Sequence, residues 1–515
     1  MSTLVDDPRR RRAILVGVCL ALMAVVASVS GLNVAQPQLA VELGASQATV
    51  LWIVNGYAVT LAALLLPLGA AGDRLGRKPV LLTGLTLFGV ANLAAALAPS
   101  AGTLLAARLL AGVSAAMIMP VTLAVITSTF PAEERSRAIG VWTGVAGGGG
   151  ILGMFLSAVL VDLASWRWLF VLPIALAGAA AVVTLRTVPD SRSADRHRFD
   201  TVGAGLSSAA VVALVFVLHE GPDRGWTAPV TLLSLAAGLL GVAGFAAWEQ
   251  RHPAPLLDVR LFRERGLAGG SGTLLAVFGV QAGIFVVLFP YLQAVLGWSG
   301  FRATLALMPT ALLMMAASGL APRVAARFGG RPAMAAGLVV SVTGLVLLAA
   351  FVSVGGGYPS LLPGMLLMGL GMGLAMTPAT EAITGSLPRD RQGVASALND
   401  VTRELGTALG VALLGTILTA GYQGAVDARL AGAGAEVARR GIADAVAAGP
   451  AVAGAARESF VDGWRQSMWA GAGILALVLV LTLVKSPLSI QRSSASLRRG
   501  TAPAGALGTD SEEME

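Results

Sequence analysis

Residues Val50 to Ala98 read VLWIVNGYAVTLAALLLPLGAA, then GDRLGRKP over 72–79, then VLLTGLTLFGVANLAAALA. Two apolar runs flank a short basic turn. Each run is about the ~20 residues that cross a bilayer at 1.5 Å rise per residue. The pattern continues in both directions from here. The runs are Ala13–Ala35, Val50–Ala71, Val80–Ala98, Thr103–Ile126, Ala138–Val161, Trp168–Leu185 and Val202–Leu218. A second seven follow: Val230–Ala247, Leu267–Phe289, Ala303–Leu320, Ala333–Val352, Leu361–Ile383, Val394–Leu418 and Met468–Val484. They are too long and unbroken for barrel strands, and lipid satisfies no open backbone, so they predict fourteen helices in an all-α integral membrane protein.

Composition agrees. The chain is 56% hydrophobic and 12% charged, with mean hydropathy +0.77, outside the range of soluble domains. The first run follows Arg9–Arg12 as a secretory signal would, but it is longer than an apolar h-region and lacks a small-residue cleavage site. It is read as a span. Cys19 stands alone, so no internal disulfide forms. The net charge of +8 reflects topology rather than nucleic-acid binding. With the N-terminus inside, the cationic residues left outside are Arg167, Arg224, Arg302, Arg429, Arg439, Arg440, Arg457 and Arg465. Arg108 and Arg403 lie within spans, and the rest of the 36 Lys and Arg fall on inside segments. This bias places both termini in the cytoplasm.

The chain divides into an N-terminal six-helix bundle (1–190), two linker helices (191–265), a C-terminal six-helix bundle (266–490) and a tail (491–515) read as disordered. An Ala- and Gly-rich outer loop is expected at 419–467, with short amphipathic helices at Val426–Leu430 and Ala435–Val446. The basic turn recurs. Arg74-Leu75-Gly76-Arg77-Lys78-Pro79 aligns with Arg327-Phe328-Gly329-Gly330-Arg331-Pro332, each after the second span of a half. Such a duplication is a common transporter plan, with the site where the halves meet.

The stretch Gly69-Ala70-Ala71-Gly72-Asp73-Arg74-Leu75-Gly76-Arg77-Lys78 resembles the signature loop of the major facilitator superfamily. Fourteen spans place the resemblance in its drug:proton antiporter subfamily. Further stretches resemble it in order: Trp52–Tyr57, Arg108–Gly112, Trp166–Phe170, Phe199-Asp200 through Gly225-Trp226, Leu257–Phe262, Tyr291–Gln293 and Gly393–Gly410. The resemblance implies two six-helix bundles plus two extra central helices, alternating access, and a monomer. It also implies secondary active export of amphipathic or cationic compounds in exchange for protons.

Residue chemistry supplies the candidates. Gly69 and Gly72 allow helices to approach closely, and Gly76 allows a tight turn. Asp73 suits a latch that accepts hydrogen bonds from a helix N-terminus or from Arg135 or Arg137 across the bundle. Arg74, Arg77 and Lys78 serve either that loop or plain anchoring inside. The aligned position in the second half is Ala326, which lacks the acid. Arg108 lies about a turn inside the fourth span. There it either tunes a nearby acid or snorkels outward. Glu381, Asp400 and Glu404 are the acids set most clearly within apolar runs, and Asp400 and Glu404 share a helical face. They read as proton carriers, with Arg403 beside them. A structural Arg403–acid pair is the competing reading.

Two departures bear on coupling. The family's first span carries an acid five residues before the Asn of its N-V-A-x-x-P signature; here that Asn is Asn33 and the acid position is Ser28. The fifth span keeps Gly144, Gly147–Gly150 and Gly153, but Met154 replaces the expected Pro and Ser157-Ala158 the following Gly pair. Alternatives for function are a dedicated metabolite or antibiotic exporter, an uncoupled facilitator, or a transporter-like sensor. An enzyme is disfavoured, because His197, His219 and His252 show no metal-ligand spacing and no nucleophile sits beside a base. No cofactor is expected, and the Gly147–Gly150 run lacks the Lys-Ser/Thr of an ATP site.

Overall fold

A computed structural model describes residues 4–163, 165–191 and 199–484. The N-terminal half holds α1 (Pro8–Glu42), α2 (Gln47–Leu75), α3 (Arg77–Ala96), α4 (Ala101–Thr129), α5 (Ala132–Leu163) and α6 (Val171–Thr187). The linker pair is α7 (Thr201–Arg224) and α8 (Pro229–Glu249). The C-terminal half holds α9 (Arg265–Pro290), α10 (Gly300–Phe328), α11 (Gly330–Phe351), α12 (Gly357–Gly385) and α13 (Gln392–Arg429). Two short helices follow, α14 (Gly432–Arg440) and α15 (Ile442–Ala447), before α16 (Pro450–Val484) closes the bundle. Among the described residues 14 helices are long and apolar enough to cross a membrane. An even number of crossings puts the start of α1 and the end of α16 on one face, the terminal face.

Local chemistry sets the ends of the helices. Asp7 caps α1 by accepting from the Arg9 N–H at 2.9 Å, and Ser100 and Thr103 form a reciprocal capping box on α4. The duplicated turns are alike in geometry. Gly76 (φ 110°) ends α2 and Gly329 (φ 96°) ends α10, a backbone region that Cβ-bearing residues avoid. The next helix starts at once in each case, with Pro79 and Pro332 in its first turn, where no N–H is needed.

Each half buries its own core. In the N-terminal half Phe88 and Trp142 are fully buried, in the C-terminal half Tyr291 and Trp464. The α7–α8 pair lies at the edge of the halves. The Ser208 hydroxyl donates to the Ala63 carbonyl of α2 at 2.8 Å, and Phe216 meets Trp52 at 6.2 Å. The outer side of α8 stays bare, with Leu233 71% and Leu240 72% exposed, as a lipid-facing surface allows.

The outer loop is shorter than the sequence suggests. Helix α13 runs on to Arg429 and α16 already begins at Pro450, so the helices project past their apolar bands. The expected helix Val426–Leu430 is the end of α13, and the expected Ala435–Val446 is split between α14 and α15. Arg429 pairs with Asp462, and Tyr422 packs edge-on against Phe460. These contacts tie the two projecting ends together, which residue composition alone did not indicate. The tail 491–515 lies outside the described residues.

Glycine sets the closest approach in the C-terminal half. A Cβ at Gly410 of α13 would overlap the Gly279 backbone of α9. Gly410→Ala is therefore expected to lower stability by about 1–3 kcal/mol, the usual range for overpacking. Gly424→Ala, where a Cβ meets nothing within 4 Å, serves as control. Equal melting temperatures for the two purified variants would refute the backbone contact.

Candidate functional site

The halves meet at the terminal face through Asp73, the end of α2. Its Oδ2 accepts from the Gly393 N–H at 2.7 Å and the Val394 N–H at 3.2 Å, the free donors that open α13. Its Oδ1 accepts from Arg77 Nη2 at 2.8 Å, and Nη2 also donates to the Arg389 carbonyl at 3.2 Å. Asp73 and Arg77 are both buried. Gly69 and Gly393 make this approach feasible, since a Cβ on Gly69 would fall 2.6 Å from the Gly393 carbonyl oxygen. Gly72 faces Val121 of α4, and Arg74 is exposed. Of the two partners the sequence offers Asp73, the structure has the helix N-terminus. Arg135 instead donates to the Phe130 carbonyl of its own turn at 3.4 Å.

A second contact between the halves joins α5 to α10 and α12. Thr143 and Thr377 are hydrogen-bonded at 2.7 Å, and Thr377 donates to the Ser318 carbonyl at 3.3 Å. Gly144 faces Met315, and a Cβ on Gly153 would sit 3.0 Å from Ala27 of α1. The fifth-span glycines are thus contact faces. Helix α5 runs through Met154 to Leu163 without a break.

Deeper in the bundle, polar groups from five helices converge, with aromatic faces from two more. Arg108, 1% exposed and two turns into α4, donates from Nη1 to Ser28 Oγ at 2.9 Å. Ser28 lies 3.3 Å from Asn92 Oδ1 of α3, and Arg108 stacks over the Tyr57 ring of α2 at 4.3 Å. Gly112, a turn further on, meets the Tyr57 carbonyl. On α13, Asp400 is fully buried and pairs with Arg403 Nη1 at 3.4 Å, while Asn399 donates to Asp400 Oδ1 at 3.2 Å. The Arg403 guanidinium covers Phe278 of α9 at 4.4 Å and reaches the Trp142 ring of α5, across the divide, at 5.5 Å. Glu404 is partly exposed and lies within electrostatic reach of Arg403, Asp400 and Tyr57. Asp400 Oδ2, Arg403 Nε, Arg108 Nε and the Tyr57 hydroxyl are buried without hydrogen-bond partners. The side chain of Asn33 lies outside the described residues.

Sequence reasoning did not assign roles to Tyr57, Asn92, Trp142, Phe278 and Asn399. The available signal was an amide, Asn92 or Asn399, inside an apolar run. The stacking partners carried none, because they are ordinary core residues until the fold sets an arginine against them. Glu381 stands apart from the central acids. It lies four residues from the end of α12, whereas Glu404 lies twelve residues into α13, about 12 Å deeper by helical rise. An apolar cavity lies beside the central cluster, lined by Gln281, Phe285, Met314, Met365, Met368 and Met372 of the C-terminal half and by Ile151 of α5.

This fold, two bundles joined around buried polar groups, is that of a membrane transporter. Residues 18–411 match the Major Facilitator Superfamily, and the chain belongs to it. The chain is 32% identical to the multidrug efflux pump LfrA of Mycolicibacterium smegmatis over 425 residues, 82% of this chain and 83% of that one. It is also 32% identical to the puromycin resistance protein pur8 of Streptomyces alboniger over 489 residues, 93% and 92% of the two chains. Among solved structures, the human organic anion transporter MFSD10 (TETRAN) shares the fold at a TM-score of 0.62 and 16% identity, covering 93% of this chain and 100% of that chain.

Asp73→Ala would strip the acceptor from two helix N–H groups and from Arg77, weakening closure at the terminal face by about 2–4 kcal/mol. Spin labels at the exposed positions Arg74 and Asp390 read this out. The variant is expected to show a longer, broader distance distribution than the parent. An unchanged distribution would mean that Asp73 does not hold the halves together.

Proposed function

We propose that the chain is a proton-driven exporter of lipophilic, mostly cationic compounds, set in a bacterial cell membrane with both termini in the cytoplasm. On this reading the terminal face is the cytoplasmic one, and the Asp73 latch holds the transporter shut toward the cytoplasm. The positive-inside distribution of Lys and Arg supports that orientation. A single chain suffices, since both walls of the pathway lie within it.

The observation that carries the reading is the Asp400–Arg403–Glu404 cluster, pressed by Arg403 against Trp142 of the other half. An ionisable group at this depth is expensive to bury and marks function by default. Arg403 is paired with Asp400, which leaves Glu404 as the second carboxyl group, the one to take a further positive charge. A proton can supply it, or a cationic substrate once the methionine-lined cavity, about 40 Å³ in this closed structure, widens to admit one, as its soft side chains allow. Taking one releases the other, which is antiport. Because Arg403 also touches α5, the exchange changes a contact between the halves and so biases which face is open. Ser28 stands where the family places an acid, which moves coupling to α13. The relative pur8 is named for resistance to one antibiotic, so a dedicated exporter using the same exchange is the second reading.

The test is proton release from purified protein in liposomes on adding a lipophilic cation, for wild type, Asp400→Asn and Glu404→Gln. Release in wild type, abolished in one or both variants, is the expected result. Substrate movement without a proton signal in wild type would overturn antiport. A panel of unrelated cations then separates multidrug export from a single substrate.

A further inference from the structure

The C-terminal half contains a second cavity, of 750 Å³, apart from the Asp400–Arg403–Glu404 cluster. It lies among the terminal-face ends of α9, α11, α12 and α16. Its floor is the first two turns of α9, where Gly269 and Gly272 leave it open: a Cβ at either position meets nothing within 4 Å. Met334 and Pro378 make the apolar wall, and Leu481 of α16, 45% exposed, stands on the side that faces lipid.

Its polar groups are few and separated. Glu381 lines the cavity, and its Oε1 is buried with no hydrogen-bond partner, while Ser136 of α5 lies beside the carboxyl group. A buried carboxyl oxygen without a donor is a costly group that a ligand can satisfy. Arg263 and Arg331 also line the cavity, and both are exposed, so they form its mouth. A lone cation reaching Glu381 would have to pass two like charges. A lone anion held at the mouth would leave Glu381 unsatisfied. A zwitterion with an amine inside and a phosphate outside meets both ends.

We propose that this cavity binds a membrane phospholipid with a primary-amine headgroup. The ammonium donates to Glu381, the phosphate faces Arg263 at the mouth, and the acyl chains leave over the exposed leucines of α16. The depth fits, because the first turns of a spanning helix lie at the headgroup level of a leaflet. On the proposed orientation this is the cytoplasmic leaflet. A free aminoalkyl phosphate shares the headgroup chemistry, but it would leave the apolar wall uncovered.

Native mass spectrometry of the full chain, purified and exposed to phosphatidylethanolamine or phosphatidylcholine, tests this. The expected result is one phosphatidylethanolamine retained per chain. Retention should fall about tenfold or more in Glu381→Leu and in the cavity-filling Gly269→Leu, the loss of one charge-assisted hydrogen bond. Arg263→Ala, a surface change that leaves the core intact, should weaken retention as well. Phosphatidylcholine, whose quaternary nitrogen has no N–H to donate, should be held less tightly. Equal retention of the two lipids, or retention unchanged in all three variants, overturns the proposal. Displacement by soluble glycerophosphoethanolamine overturns the lipid as occupant, and Gly269→Leu-sensitive binding of tetraphenylphosphonium overturns the zwitterion. Retention is read without transport, so its failure leaves the export reading standing, and the reverse holds too.

Discussion

At the terminal face one carboxyl group bonds the two halves of this protein together. Asp73 ends α2 and begins α13 at once, giving the first N–H groups of α13 the acceptor that every helix start lacks. Water would do this for a soluble protein. With the face closed and water excluded the donors must find protein, and here they find the opposite half. The interaction is strong because a negative group meets the positive end of a helix, and it is breakable because water can replace it when the face opens. Gly69 and Gly393 follow from it, since any side chain there would hold the carboxyl group away.

The central cluster obeys the same rule under stricter conditions. Arg108 and Arg403 are both buried, and each is treated differently. Arg403 has an acid a turn away and aromatic faces on two helices. Arg108 has a hydroxyl and the face of Tyr57, and among the described residues no carboxylate is hydrogen-bonded to it. The halves are therefore electrically unequal, with both acids of the cluster on α13. Ser28 meets Arg108 with a hydroxyl, and the carboxyl groups lie on α13, in the half that also carries most of the methionine-lined cavity.

Much of this was legible in the sequence, and the limits were physical. The fourteen runs and the repeated basic turn follow from residue type and spacing, which lipid constrains tightly. Asp73 was legible as a latch, but its partner was not unique, because backbone N–H groups leave no mark in a sequence. The loop expected at 419–467 was drawn too long because Ala- and Gly-rich segments look alike in a helix and in a loop. Pairing of Arg429 with Asp462, residues far apart in the chain, decided between them. Glu381 read like Asp400 and Glu404 because all three interrupt apolar runs. Only depth separates them, and depth depends on where the helix ends.

The duplicated turn is the part of the design most open to energetic argument. Gly76 and Gly329 have nearly the same backbone geometry, yet Ala326 occupies the position of Asp73 in the second copy. The fold thus keeps both turns and only one such latch. Moving one charge through 100 mV yields about 2.3 kcal/mol. A latch of two hydrogen bonds to one carboxyl group is of that order, about 2–4 kcal/mol. On the proposed cycle, a single proton then carries free energy comparable to one such contact at the lower end of its range. An acid at 326 making an equivalent contact would double the requirement and stall the face in its closed state. On that cycle, asymmetry between the repeats keeps the closed state within reach of the proposed proton gradient.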